Sequence, residues 1–129
     1  MATYKRFEEL PIWQQARLLS KDLYLLIRKG NFSNDYRFIS QITSAAGSIM
    51  DNVAEGFERE GQKEYIQFLY IAKGSAGEVR SQLYRALDAE YISNEEFSKL
   101  LELTINISSA LANYINYLKQ SGYEGNKYR

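Results

Sequence analysis

Carboxylates and cations are the groups of this chain best equipped for chemistry. Its 129 residues hold 16 Asp and Glu against 16 Lys and Arg, with no His and no Cys. That composition removes thiolate nucleophiles, disulfides, the usual zinc ligand sets, Ser-His-Asp triads and the side chain most used for proton transfer near neutrality. What remains for acid chemistry is a pair such as Glu55 and Glu78. If both lie on helices that turn back near residues 59–61, they sit about 20 Å apart, beyond the separation of paired catalytic carboxylates. Asp51, Glu55 and Glu58 share one helix and lack the loop that gathers six or more oxygens around a hard cation. No metal or cofactor site is expected, and no small-molecule substrate.

A second constellation is basic and aromatic. Lys63, Ile66, Tyr70, Lys73, Gly77, Arg80 and Tyr84 fall on one stripe of a helix, and Arg59 precedes them. Alternating bases and tyrosines suit phosphate neutralisation with base stacking. They equally suit a protein interface in which Tyr and Arg carry the contact. A third set is polar: Ser48, Asn52 and Glu55 at helical spacing, and Gly74, Ser75, Gly77 and Glu78. Asn52 and Glu55 are expected to hydrogen-bond the first helix or a neighbouring subunit, near Trp13, Gln14, Tyr65 and Lys119. Two mid-helix glycines costing about 1 kcal/mol each relative to Ala point to tight helix packing.

The elements that must position these residues are four segments of 3.6-residue period joined by short polar or Gly-containing breaks, with no strand pattern. The first opens at Pro11 and places Ile12, Ala16, Leu19, Leu23 and Leu26 inward, ending near Gly30. The second follows the N-cap candidates Ser33, Asn34 and Asp35 and carries Phe38, Ile42, Ala45, Ile49 and Val53 toward Gly56. The third starts near Gly61 and carries Tyr65, Leu69, Ala72, Ala76, Val79, Leu83 and Leu87. The fourth begins at a capping box, Ser93 with Glu96, flanked by the staple residues Ile92 and Phe97. Helices over about 11–29, 35–57, 62–89 and 94–119 make a single all-α domain, whose economical arrangement is an antiparallel up-down-up-down four-helix bundle. Residues 122–129, with Tyr123, Gly125, Lys127 and Tyr128, read as a flexible tail.

The fourth helix is apolar around most of its circumference, with a polar strip through Lys99, Glu102, Asn106, Ser109, Asn113 and Asn116. More apolar surface than one bundle buries is expected to meet copies of the same chain. The uncharged run from Leu103 to Leu118 is too short, and too interrupted by Asn, to span a membrane. The opening Met1-Ala-Thr-Tyr-Lys-Arg-Phe-Glu-Glu has no signal-peptide pattern, so a cytoplasmic setting is expected.

The stretch from Gln41 to Gly56, then Arg59, then Phe68 to Glu78 resembles the bacterial four-helix-bundle family encoded by intervening sequences of large-subunit ribosomal RNA genes. Its carriers are Asn52, Ala54, Glu55 and Gly56 together with Gly74, Ser75 and Glu78, and the opening Phe7 to Ala16 is similar too. The resemblance extends to about Leu118. It implies an antiparallel bundle assembled into a ring of identical subunits, typically five, with no established enzymatic activity. Accessory proteins of diversity-generating retroelements are similar in fold, and there a basic ring surface is thought to engage nucleic acid. Thr43 and Ser44 stand here where relatives often carry a basic pair. The expected function is thus a non-enzymatic homo-oligomeric scaffold or interaction module. The alternative is an RNA- or DNA-binding accessory factor using Arg59, Lys63, Tyr70, Lys73, Arg80 and Tyr84.

Overall fold

The computed structural model describes residues 3–121, so residues 122–129 and the expectation placed on them lie outside it. A short 3-10 helix at Phe7–Glu9, which the sequence pattern does not announce, precedes four α-helices: α1 (Pro11–Arg28), α2 (Tyr36–Glu58), α3 (Gln62–Asp88) and α4 (Asn94–Ser121). Each boundary has a local cause. Pro11 occupies the first turn of α1, where its missing N–H has no intrahelical partner to lose. Gly30, at φ +87°, closes α1 by donating its N–H to the Ile27 carbonyl at 3.0 Å. Of the three cap candidates, Asp35 caps α2 by accepting from the Phe38 N–H at 3.2 Å. At the start of α4 the capping box is complete. Glu96 N–H donates to Ser93 Oγ at 3.1 Å, and Ser93 N–H donates to Glu96 Oε1 at 2.9 Å.

The end of α3 has a less expected stop. Glu90 takes φ +63°, and the Tyr91 N–H reaches back to the Ala86 carbonyl at 2.9 Å while the Glu90 N–H bonds the Leu87 carbonyl at 3.0 Å. That pair of bonds is the helix stop usually completed by Gly, here with a side chain in the left-handed position.

Pairwise contacts give the arrangement. Ser48 meets Ser75 and Phe38 meets Arg85, so α2 and α3 run in opposite directions. Gln62 meets Leu118 and Tyr84 meets Phe97, so α3 and α4 do as well. Lys29 reaches Glu96 at one end of α1, while Ile12 shares a cleft with Ala110 and Tyr114 at the other, which runs α1 against α4 and closes the four-membered circuit. One continuous core results. It contains the inward stripes read from the sequence, with Leu26 and Leu87 half-buried at its edges and Ala86 fully buried in place of Leu87.

Aromatic residues tie the two loops at one end together. Phe32, between α1 and α2, is buried against Phe38 and Tyr91 with ring centroids 6.2 and 5.2 Å away. The Tyr91 hydroxyl donates to Asp35 Oδ2 at 2.6 Å. That bond and the Phe38 N–H together hold the Asp35 carboxyl below its usual pKa.

The apolar surplus of α4 is largely absorbed inside the chain, so the premise that one bundle cannot bury it does not hold. Leu100, Ile107, Leu111, Tyr114, Ile115 and Leu118 are buried, and Leu101, Leu103, Ala110 and Tyr117 pack half-buried against the core. Ile105 is the one large hydrophobic of α4 left exposed among the described residues. Because α4 lies between α1 and α3, its neighbours cover a wider arc than a single-face count allows. Exposed apolar surface sits elsewhere, at Leu18, Tyr24 and Leu25 of α1 and Tyr70, Ile71 and Tyr84 of α3.

Candidate functional site

Gly56 ends the first polar motif where α2 meets α3. A Cβ there would come within 2.7 Å of Phe68 Cβ and 3.0 Å of Tyr65 Cδ1, so only Gly permits this approach. Arg59, just past the helix, turns back to Glu55 Oε2 at 2.8 Å and lays its guanidinium over the Phe68 ring at 5.0 Å. Glu55 is therefore joined to its own helix, as is Asn52, whose Nδ2 donates to the Ser48 carbonyl at 2.8 Å and to Ser48 Oγ at 2.9 Å. The expected bonds from Asn52 and Glu55 to the first helix do not form. A side chain four residues away on the same helix is always within reach.

The link between the two motifs is one the sequence reading did not name. Ser48 Oγ and Ser75 Oγ lie 2.9 Å apart, and Ser75 is buried. Asn52, Ser48 and Ser75 thus form a short polar chain across the α2–α3 interface, satisfying groups that burial would otherwise penalise. The second carboxylate, Glu78, is exposed and accepts from Gln82 Nε2 at 3.3 Å. Level positions fall about three residues from those a turn at 59–61 implies, which leaves Glu55 and Glu78 about 15 Å apart along the axes, still too far to share a substrate. Among the described residues no group of three or more carboxylates comes together to hold a metal ion.

Gly74 and Gly77 behave unlike Gly56. A Cβ at either would meet nothing within 4 Å, and both face outward on α3. The tight helix packing expected at them is not found between the described helices of this chain. Around them the basic-aromatic stripe is partly engaged. Tyr84 packs edge-on against Phe97 with centroids 4.9 Å apart, and Tyr70 receives Lys119, whose ammonium lies 4.9 Å from the ring centre. Lys63 and Arg80 are exposed and Lys73 half-buried, and none makes an ion pair with another described residue.

At the bottom of the bundle, buried Gln62 donates its amide to the Leu118 carbonyl in the last turn described for α4. Tyr65 adds a hydroxyl contact to Tyr114 at 3.3 Å with the rings edge to face. No helix among the described residues is long and apolar enough to cross a membrane.

The class these observations define is an all-α four-helix bundle whose polar motifs serve helix contacts and helix ends. The chain belongs to the 23S rRNA-intervening sequence protein family, whose model matches residues 8–113. In architecture it is similar to the crystal structure of a protein of unknown function from the S23 ribosomal protein family of Bacteroides thetaiotaomicron VPI-5482. The TM-score is 0.74 at 21% identity, over 81% of this chain and 97% of that one. That identity establishes the fold alone. No curated protein matches the chain.

Proposed function

We propose that this protein is a non-enzymatic, self-assembling bundle that acts as an oligomeric scaffold or interaction module. One observation carries the reading: α3 exposes Tyr70, Ile71 and Tyr84 beside two helix-interior glycines that touch nothing in their own chain. An exposed helical Gly costs about 1 kcal/mol relative to Ala, and a smooth strip flanked by aromatics offsets that cost when another helix packs closely on it. Lys63, Lys73 and Arg80, in no ion pair with another described residue, suit the acid-pairing rim of such an interface. The exposed Leu18 and Leu25 of α1 lie on a different helix, and two unlike patches joined head to tail close into rings. The family resemblance adds the expectation of five copies.

Multi-angle light scattering at tens of micromolar tests this. A discrete particle near five times the 14.9 kDa chain mass supports the full reading, and a monodisperse monomer refutes it. Gly77→Leu fills space that is open within the subunit, so it is expected to leave the helical content intact while shifting the particle toward monomer.

A further inference from the structure

A cleft of about 330 Å³ runs between α1 and α2, lined by Arg17, Ser20, Lys21, Tyr24 and Arg28 of α1 and closed on one side by Met50 of α2. Arg17, Lys21, Tyr24 and Arg28 follow one another at steps of four, three and four residues, so they form a single outward stripe. Neighbouring cations along it are spaced by about 6 Å for Arg17 to Lys21 and about 10 Å for Lys21 to Arg28. None of the three is in an ion pair with a described residue, although the chain as a whole has equal numbers of acids and bases. The nearest acids in sequence leave the stripe unneutralised. Asp22 lines the opposite cleft with Lys29 and Glu96, and Asp51, beside Met50, pairs with none of these cations.

Between Lys21 and Arg28 stands Tyr24, 51% exposed and in no ring contact with another described aromatic. Arg17 is braced from behind by Trp13, with its guanidinium 5.8 Å from the ring centre. A row of unpaired cations interrupted by a free aromatic face has a natural complement: a strand carrying regularly spaced negative charge and unpaired flat bases. A duplex keeps its bases stacked inside and offers Tyr24 nothing. An acidic peptide matches the cations and leaves the aromatic unused.

We propose that the α1–α2 cleft is a binding site for single-stranded nucleic acid, with Arg17 and Lys21 on neighbouring phosphates, Arg28 on a phosphate further along the strand and Tyr24 stacking on a base between them. The site is complete within one chain, so it stands independently of self-association. It is also distinct from the α3 stripe, where Tyr70 and Tyr84 are already engaged by Lys119 and Phe97.

The experiment is fluorescence anisotropy of labelled oligouridylate and oligothymidylate, with a blunt duplex of equal length, titrated with the full chain across a salt series. Single strands are expected to bind at low salt with a log–log salt slope near about −2, since each neutralised phosphate of a single strand contributes about −0.7. Reversing charge with Arg17→Glu plus Lys21→Glu is expected to weaken binding by at least about tenfold and flatten the slope. Tyr24→Leu is expected to weaken it by about fivefold or more with the slope unchanged, the separation a stacking role requires. Lys73→Glu plus Arg80→Glu on α3 is expected to leave affinity within about twofold, because the proposed site does not include them. Arg17→Gln plus Lys21→Gln repeats the test without charge reversal, and circular dichroism checks the fold of every variant. No binding at low salt overturns the proposal. So do equal losses from the α3 variant, tighter binding of the duplex, or competition by polyglutamate as effective as that by the oligonucleotide. Light scattering on the same variants reports assembly separately.

Discussion

The α2–α3 interface and the α1–α4 seam are built to different tolerances. Along α2–α3 the backbones meet so closely at Gly56 that a methyl group collides with Phe68, and a half-buried Ser48–Ser75 bond joins the two helices. Along α1–α4 the helices part at both ends: a cleft of about 270 Å³ opens where Asp22, Leu25 and Lys29 face Glu96, Lys99 and Leu100, and one of about 280 Å³ opens where Ile12 faces Ala110 and Tyr114. The ion pair that spans the first, Lys29 with Glu96 at 3.3 Å, is substantially exposed and contributes little. The difference teaches that the bundle is a tight central hairpin with a more loosely seated partner helix, and that helix carries the proposed binding stripe.

The largest test compares two leucine truncations. Leu69→Ala, at a fully buried α3 position, is expected to lose about 4 kcal/mol, because the walls around it cannot collapse into the void. Leu100→Ala, beside the α1–α4 cleft, is expected to lose about 2 kcal/mol, since the site already opens onto solvent-sized space. Equal losses in urea unfolding would erase the contrast.

Next come two identical substitutions of opposite sign. Gly56→Ala forces Phe68 and the α3 backbone away and is expected to destabilise by about 2 kcal/mol. Gly77→Ala, with open space around it, is expected to stabilise the isolated subunit by about 1 kcal/mol, measured at a dilution where the chain is monomeric. Matching signs would show that α2 and α3 are not as closely fitted as described.

Glu90→Gly relieves the left-handed residue at the end of α3 without touching either interface, and a gain of about 1 kcal/mol is expected in thermal unfolding. The smallest effect is that of acid. The Asp35 carboxyl is held below its ordinary pKa by the Tyr91 hydroxyl and the Phe38 N–H, and Glu96 is held below its own chiefly by the Ser93 N–H. A carboxylate with a depressed folded pKa contributes stability that is full above its unfolded value and is lost as pH falls through the folded one. The melting temperature should therefore drop on acidification through and below the ordinary carboxylate range. Asp35→Asn should make that drop shallower, with circular dichroism as the readout.

How much of this was legible in the sequence depends on how local each cause is. Pro11, Asp35, Gly30 and the Ser93–Glu96 box act within a turn of the residues they organise, and all four appear at the helix ends as their types demand. The inward stripes were legible because burial follows the helical period. Glycines were not: Gly56, Gly74 and Gly77 look alike along a chain, and only the position of a neighbouring helix distinguishes a close approach from an open face. The choice of partner for Asn52 and Glu55 was lost for the same reason, since Ser48, Arg59 and α1 were all chemically acceptable. The excess of α4 was overread because a helix between two neighbours is covered along a wide arc. The spacing of Arg17, Lys21, Tyr24 and Arg28 is visible in the sequence, yet it takes the structure to place Met50 across from them and acids elsewhere.

The looseness of the α1–α4 seam also has a kinetic reading. The other closely packed α-helix pairs join neighbours in sequence through a short connection, whereas α1 and α4 meet only after the whole chain has been laid down, the most expensive loop to close. The seam is then the last contact to form and the first to open, so substitutions along it should act on the unfolding rate and leave the folding rate nearly unchanged.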